Sequence, residues 1–313
     1  MRRRNSKGHL FVKRKFKRTS SRKLSTGDIQ VLDFLWTWKV ASSLMLKLVG
    51  YKGKSEWWAY KALRQLEKEK YIQALPRGKY LDQEVWTLTH LGFEVVLMDR
   101  DDITEYRFRP HAPAHDYLGT CLQLGDLWTS SWEKTFYTEQ MLASLRPNNF
   151  PENFAKEDGH VPDGLTEISN DKKSLYIGYE VDLNLKDIER YEKTYFYYYL
   201  IKGLFVVFWL VRNDWIMKRI SQAVNKQSFE KAVSEKFAFV KLDDFKENIW
   251  EAKVCNGKYE GLSIRKVHEN LMQMLGKESA SLGQKPMQEI FFSKYKSPQK
   301  SIASKKGGLS EKR

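Results

Sequence analysis

Apolar residues recur at helical spacing in the first third of the chain, whereas through the middle they alternate or run together as they do in strands. Ser25 stands as a helix cap before Ile29, Leu32, Phe34, Leu35 and Trp36 and predicts a first helix. Leu44, Leu46, Leu48 and Val49 predict a short second helix ending near Gly50. EWWAYKALRQLEKEKY predicts a third, with Trp58, Ala62 and Leu66 as its apolar stripe. Two strand-like runs then flank Pro-Arg-Gly-Lys in YIQALPRGKYLDQEVWTLT, and a fourth helix runs from His90 to about Met98.

Three helices followed by a basic hairpin describe a winged helix, whose third helix enters the major groove while the hairpin flanks the backbone. The candidate DNA contacts are Lys52, Lys54, Lys61 and Arg64 on the helix side, with Arg77 and Lys79 on the wing. Helix-turn-helix architecture also serves protein contacts, and Trp57 and Trp58 equally suit a core or a dimer interface.

The acidic, proline-containing stretch DRDDITEYRFRPHAPAHD marks a boundary at about residue 105. Beyond it, DYLGTCLQLGDLW predicts a helix with Leu118, Cys121, Leu122 and Leu124 inward, and YTEQMLASLRP a helical or strand-helix segment. VPDGLTEIS and SLYIGYEVDL predict a strand hairpin, with Ile177, Tyr179 and Val181 on one face and Glu180 and Asp182 on the other. A helix from about Leu185 then places Lys186, Arg190, Lys193 and Tyr197 on a common face. LFVVFWLV predicts a buried strand, DWIMKRISQAVNK a helix and KFAFVKL a further strand. WEAKVCNGKYEGLS predicts a hairpin turning at Asn256-Gly257, and IRKVHENLMQMLG a closing helix. The fold class expected is α/β, α+β overall.

Charge changes this picture at the two ends. Of the +15 formal charge on 313 residues, residues 1–24 carry +11 and residues 277–313 carry +6, which leaves −2 on residues 25–276. A near-neutral body between two basic arms suits a polyanion, because releasing counterions from phosphates is the main sequence-independent source of affinity. A solubilising role for the arms, or RNA as the polyanion, fits the same charge. The arms are expected to be disordered, although MQEIFFSKY (Met287 to Tyr295) suits folding on a partner. Two cysteines, Cys121 and Cys255, are too few for a disulfide framework and lack zinc spacing, so a reducing cytoplasm is the expected location. Lys202 and Gly203 interrupt the most apolar run, Tyr195 to Val211, which excludes a membrane span there.

The hairpin carries the candidate chemistry. Two carboxylates two residues apart on a strand project together, which is costly without a cation between them. Asp163 and Glu180 from adjacent strands are the residue types that hold Mg²⁺ or Mn²⁺ in a phosphodiesterase, with Asp182 as a third ligand. Each also has a plainer reading: Asp163 as a turn cap, and Glu180 and Asp182 as partners of Lys186 and Arg190 in structural ion pairs. His115 reads as a capping or packing histidine.

Pro-Asp, a turn, then Glu-x-acid resembles the PD-(D/E)xK nuclease motif, with Asp182 where the lysine usually stands and Lys186 as its nearest substitute. The wider order is WTLTHLGFEVV, AHDYLG, YTEQM, PDG and EVDLNLKDIERYEKTYFYY. Over residues 25 to 212 it is similar to the replication-relaxation family, including mobilisation relaxases of the plasmid C class. The resemblance implies a winged helix over 25–104 and a restriction-endonuclease-like mixed-sheet domain over 105–276. It implies Glu139, Asp163, Glu180 and Lys186 as catalytic residues, with Arg190 as a further basic position; Arg190 and Lys193 on the shared helix face are the expected phosphate contacts on DNA. It further implies a plasmid origin as the double-stranded DNA partner, together with relaxosome or replication proteins. The competing expectation is a regulator or replication accessory factor that binds DNA without cutting it, with Asp182 at the lysine position as its evidence.

Overall fold

The computed structural model describes residues 23–78, 80–98, 100, 110, 112–125, 134–144, 160–170, 173–226 and 235–276. Both expected arms, 1–24 and 277–313, lie outside the described residues apart from 23 and 24.

The N-terminal part comprises α1 (Thr26–Trp38), β1 (Ala41–Ser42), α2 (Ser43–Gly50), α3 (Glu56–Lys68), β2 (Ile72–Leu75), β3 (Val85–Leu88) and α4 (His90–Met98). The cap of α1 forms as its sequence dictates. The Ser25 hydroxyl accepts from Asp28 N–H, and the Asp28 carboxylate accepts from Ser25 N–H at 2.9 Å, an arrangement worth about 1 kcal/mol. Asp28 is fully buried and also accepts from the Tyr51 hydroxyl at 2.7 Å, which ties the helix start to the end of α2. The two helices nearly touch there: a Cβ on Gly27 would stand 2.3 Å from the Gly50 carbonyl oxygen. Gly27→Ala is therefore expected to push α2 off α1 and cost about 1–3 kcal/mol, read as a lowered urea midpoint with an unchanged slope.

In α3 the buried stripe is Ala59, Ala62, Leu63 and Leu66, whereas Trp58 is 44% exposed and Trp57 66% exposed. Of the expected stripe Ala62 and Leu66 are buried and Trp58 is not, because Ala59 takes its place in the i, i+3, i+4 series with Leu63 and Leu66. β2 and β3 form the expected hairpin, antiparallel with Ile72 opposite Leu88 and Leu75 opposite Val85; β1 adds to the other edge of β3.

The second part begins with α5 (Pro113–Leu124), β4 (Lys134–Thr138), α6 (Glu139–Ser144), β5 (Gly164–Ser169) and β6 (Ser174–Asp182). It continues with α7 (Ile188–Leu200), β7 (Leu204–Val211), α8 (Asp214–Lys226) and β8 (Phe237–Lys241), then short helices at Leu242–Glu247 and Gly257–Tyr259 and a last helix at Ile264–Met274. Its sheet has the order β4-β5-β6-β7-β8; the first three strands are antiparallel, and β7 and β8 run parallel to β6. β7 is buried along its whole length, as a continuous apolar run in the parallel part of a two-sided sheet must be. Ile177, Tyr179 and Val181 of β6 join the cluster beneath α5, while Tyr176 joins the cluster beneath α7 and α8. The mixed α/β class expected from sequence is the one observed.

Two expectations fail in this part. Residues 251–263 form no strand hairpin; the pairing there is confined to single bridges, Val240 to Val254 and Lys253 to Ser263, around a 3₁₀ turn at Gly257–Tyr259. Helix α7 starts at Ile188 with Asp187 as its cap, so Lys186 belongs to the strand-to-helix loop. The shared face expected for Lys186, Arg190, Lys193 and Tyr197 does not exist: Arg190 and Lys193 are exposed while Tyr197 is buried.

The two parts meet through their cores. One cluster of buried side chains runs from Val31 to Leu275, and Trp38 packs edge-on against Phe136. The Thr138 hydroxyl donates to the Thr37 carbonyl at 2.7 Å, Lys246 Nζ to the Tyr80 carbonyl at 2.9 Å, and Gln83 Nε2 to the Tyr117 hydroxyl at 2.6 Å. Residues 101–109, where the domain boundary is expected, lie outside the described residues.

Candidate functional site

β5 starts at Gly164, opposite Tyr179, so Asp163 sits at the strand mouth beside Glu180 and Val181. Its Oδ2 accepts from Val181 N–H at 2.7 Å and lies 3.1 Å from His115 Nε2 on α5. Gly164 leaves room for Gln123 to close on the strand, since a Cβ there would meet Gln123 Oε1 at 2.4 Å. Gln123 is buried and clamps β5 by donating to the Leu165 carbonyl at 2.6 Å. The Pro-Asp-Gly sequence is therefore an acid placed by a strand end and a glycine that lets a helix side chain close on it.

Glu180 and Asp182 do project to the same face, and the cations between them are the protein's own. Glu180 Oε1 lies 2.9 Å from His160 Nε2 and accepts from the Tyr198 hydroxyl at 2.9 Å. Asp182 Oδ1 pairs with Lys186 Nζ at 2.5 Å, and its Oδ2 accepts from Trp209 Nε1–H at 2.7 Å. Glu180 and Asp182 are both almost fully buried. Burial pushes Glu180 up, with Asp163 adding to the shift and His160 opposing it. Burial likewise pushes Asp182 up against the pull of Lys186 and Trp209. At Asp163 burial is outweighed by His115, Lys186 and the Val181 N–H, which hold the carboxyl well below the usual range. Burial opposes the charged forms of His115, His160 and Lys186, but the adjoining carboxylates prevail and raise all three.

The sign of the resulting pH dependence follows from the pair at Asp163. Asp163, lowered, contributes stability above its unfolded value of about 3.9 that is lost as pH falls; His115, raised, contributes stability below its unfolded value of about 6.5 that is lost as pH rises through the folded value. The melting temperature of wild type minus that of Asp163→Asn is thus expected to be largest near about pH 5–6 and to shrink towards pH 9. A difference that grows with pH would contradict the charged pair.

Glu139, at the start of α6, lines a small solvent-open pocket together with Lys39, His115, Asp116, Gln123 and Asp163. Lys39 Nζ pairs with the Glu139 carboxylate. The structure thus brings Asp163, Glu180, Asp182 and Lys186 into one cluster, and Glu139 to the pocket that opens on Asp163. His115, His160 and Lys39 complete the set. His160 carries a sequence signal, two residues before Pro-Asp at a strand mouth; Lys39 carries none, since it comes from 100 residues away.

Among the described residues no group of three or more histidine, cysteine or acidic side chains is arranged to hold a metal ion. Asp182 is a poor third ligand because both its oxygens are engaged by Lys186 and Trp209. The bonds at Asp163 and Glu180 use one oxygen of each, Oδ2 and Oε1. That donor chemistry fits a Mg²⁺-like ion held by two carboxylates, with its remaining positions left to water and phosphate.

The expected DNA contacts lie elsewhere. Lys52, Lys54 and Lys61 are exposed, Lys61 Nζ lying 3.9 Å over the Trp57 ring and Lys54 Nζ 5.5 Å over Trp58. Arg64 is engaged by Glu67 at 2.7 Å and Glu84 at 2.9 Å, so its guanidinium is already neutralised. Arg77 is exposed between β2 and β3, and Lys79 lies outside the described residues. Arg190 and Lys193 are exposed on α7, Lys193 pairing with Glu189 at 2.9 Å.

Comparison of the chain with protein-family models, curated proteins and solved structures gives no match. Among the described residues no helix is long and apolar enough to cross a membrane.

Proposed function

We propose that the chain is a metal-assisted DNA endonuclease of the replication-relaxation type, in which a winged-helix part locates a site on double-stranded DNA and a PD-(D/E)xK-like part nicks one strand. The observation that carries the reading is the meeting of Asp163 and Glu180 from adjacent strands, with Lys186, paired to Asp182, in the same cluster. The succession α5-β4-α6-β5-β6-α7-β7, in which three antiparallel strands are followed by a helix and a parallel strand, supports it. So do the helix and hairpin arrangement of α1 to β3 and the basic arms.

Asp163 and Glu180 would hold the ion, Mg²⁺ or Mn²⁺, which when bound supplies Lewis-acid polarisation of a phosphoryl oxygen. Lys186 stabilises the charge that builds on the phosphate as water adds its oxygen to phosphorus, the P–O bond breaks and the leaving oxygen takes up a proton. His115 and His160 orient Asp163 and Glu180. A plasmid origin, with relaxosome or replication proteins as further partners, belongs to the same proposal.

One observation favours a second reading, a DNA-binding regulator without activity: Asp182 takes the usual lysine position and is fully engaged. Incubating supercoiled plasmid with the full chain and Mn²⁺ separates the two. Conversion to open circles is expected; stable binding with no conversion over many hours would leave only the regulator.

A further inference from the structure

The end of α1 carries an unusual piece of backbone. Lys39 has φ +60° and ψ −43°, and Val40 N–H donates to the Trp38 carbonyl at 2.7 Å, a tight three-residue turn in a region that residues with a Cβ rarely occupy. The turn is over-determined by its surroundings: the Thr138 hydroxyl bonds the Thr37 carbonyl at 2.7 Å and the Thr120 hydroxyl bonds the Trp38 carbonyl at 3.3 Å. Strain of this kind persists where the structure gains something by it. What it achieves here is to aim a long cation from the N-terminal part into the pocket that opens on Asp163.

The two partners of the Lys39–Glu139 pair differ in freedom. The Lys39 side chain is 10% exposed and held by its turn, whereas Glu139 is 38% exposed at the rim and can swing into water. The pocket also holds a polar atom that nothing in the protein satisfies: Asp116 Oδ2 is buried without a hydrogen-bond partner, on a side chain only 9% exposed. Such an acceptor calls for a donor from a ligand. A fixed cation, a displaceable anion and an unsatisfied acceptor share one solvent-open pocket. Together they describe a seat for a phosphate that carries hydrogen-bond donors nearby.

We infer that the mouth of this pocket seats one phosphate of a single DNA strand, with Lys39 gripping it and the Glu139 carboxylate holding that place until the strand arrives, the sugar and base lying outside. The inference rests on the DNA-cleaving reading for its choice of ligand, and it assigns Glu139 a role different from that of a catalytic acid. It also makes the site composite, since the N-terminal part contributes a residue without which the phosphate is not held.

The probe is the dinucleotide TpT, titrated into the full chain by calorimetry. Lys39→Gly removes the ammonium and at the same time relieves the positive φ, so it is expected to keep or raise the melting temperature while weakening TpT about tenfold or more. Glu139→Gln leaves the turn untouched and removes the competing charge, so it is expected to tighten TpT several-fold. Equal affinity in wild type and both variants, or weaker binding by Glu139→Gln, overturns the proposal. Nicking of supercoiled plasmid by the same preparations is read separately. Nicking with TpT affinity indifferent to Lys39 and Glu139 sinks this inference alone, whereas the expected TpT order without nicking sinks only the cleavage reading.

Discussion

Asp163→Ala is expected to abolish nicking and to destabilise the fold by about 3–5 kcal/mol, because one carboxylate serves both purposes. Its Oδ2 accepts the Val181 N–H and faces His115 Nε2 at 3.1 Å, and the histidine side chain is only 23% exposed. Truncation leaves a largely buried cation without its partner and the strand end without its acceptor. Asp163→Asn should recover much of the stability, since an amide oxygen still accepts from Val181, and none of the activity, since it carries no charge for a metal ion. Urea unfolding and plasmid nicking of the two variants check these outcomes side by side. Equal loss of stability in both would place the energy in the His115 charge pair rather than the strand contact, and nicking by either variant would remove Asp163 from the site.

Trp209 offers an effect of similar size from the other side of the cluster. Its ring is buried between Phe237, Phe239 and Tyr191, and its Nε1–H is a donor to Asp182. Trp209→Ala is expected to cost about 3–5 kcal/mol through the cavity it leaves. Trp209→Phe keeps most of the packing and removes only the donor, for a cost of about 1–3 kcal/mol. In that variant Asp182 retains Lys186 alone, so nicking is expected to fall with little change in DNA binding. The measurement is the urea midpoint together with nicking at saturating DNA.

The helices and strands were legible wherever burial set the pattern. Leu204 to Val211 could hardly be other than a central strand, and the alternation of Ile177, Tyr179 and Val181 placed Glu180 and Asp182 together on the opposite face. The stripe of α3 was legible at Ala62 and Leu66 and misread at Trp58, which is large and apolar; hydrophobicity marks a residue as suited to burial without requiring it. The expected hairpin at Asn256-Gly257 failed because its flanking residues pair only through isolated bridges, with the last helix following at once. Lys186 was placed on a helix that begins two residues later, an error of boundary of the sort that leaves the charge in the right neighbourhood.

The partners of the acids were less visible than the acids. His115 comes from α5, far from Asp163 in the chain, and only the closure of α5 on β5 brings it there, whereas His160 lies just before β5 and reaches Glu180 on the neighbouring strand. Lys39 arrives through a backbone conformation that no side-chain pattern encodes. A carboxylate pair asks for a cation by its own electrostatics, but which cation answers is decided by tertiary docking. Here the protein supplies its own: His115, His160, Lys186 and Lys39.

The central claim is that Asp163 and Glu180 form a DNA-cutting centre, and the most direct measurement is the nicking rate of wild type against Glu180→Gln at equal occupancy of the same plasmid with Mn²⁺. Glu180→Gln preserves the shape of the side chain beside His160 and Tyr198 while removing its charge. The account expects wild type to nick and the variant to be slower by about a hundredfold or more at unchanged DNA affinity. Equal rates, or no cutting by wild type that demonstrably holds the DNA, would contradict it.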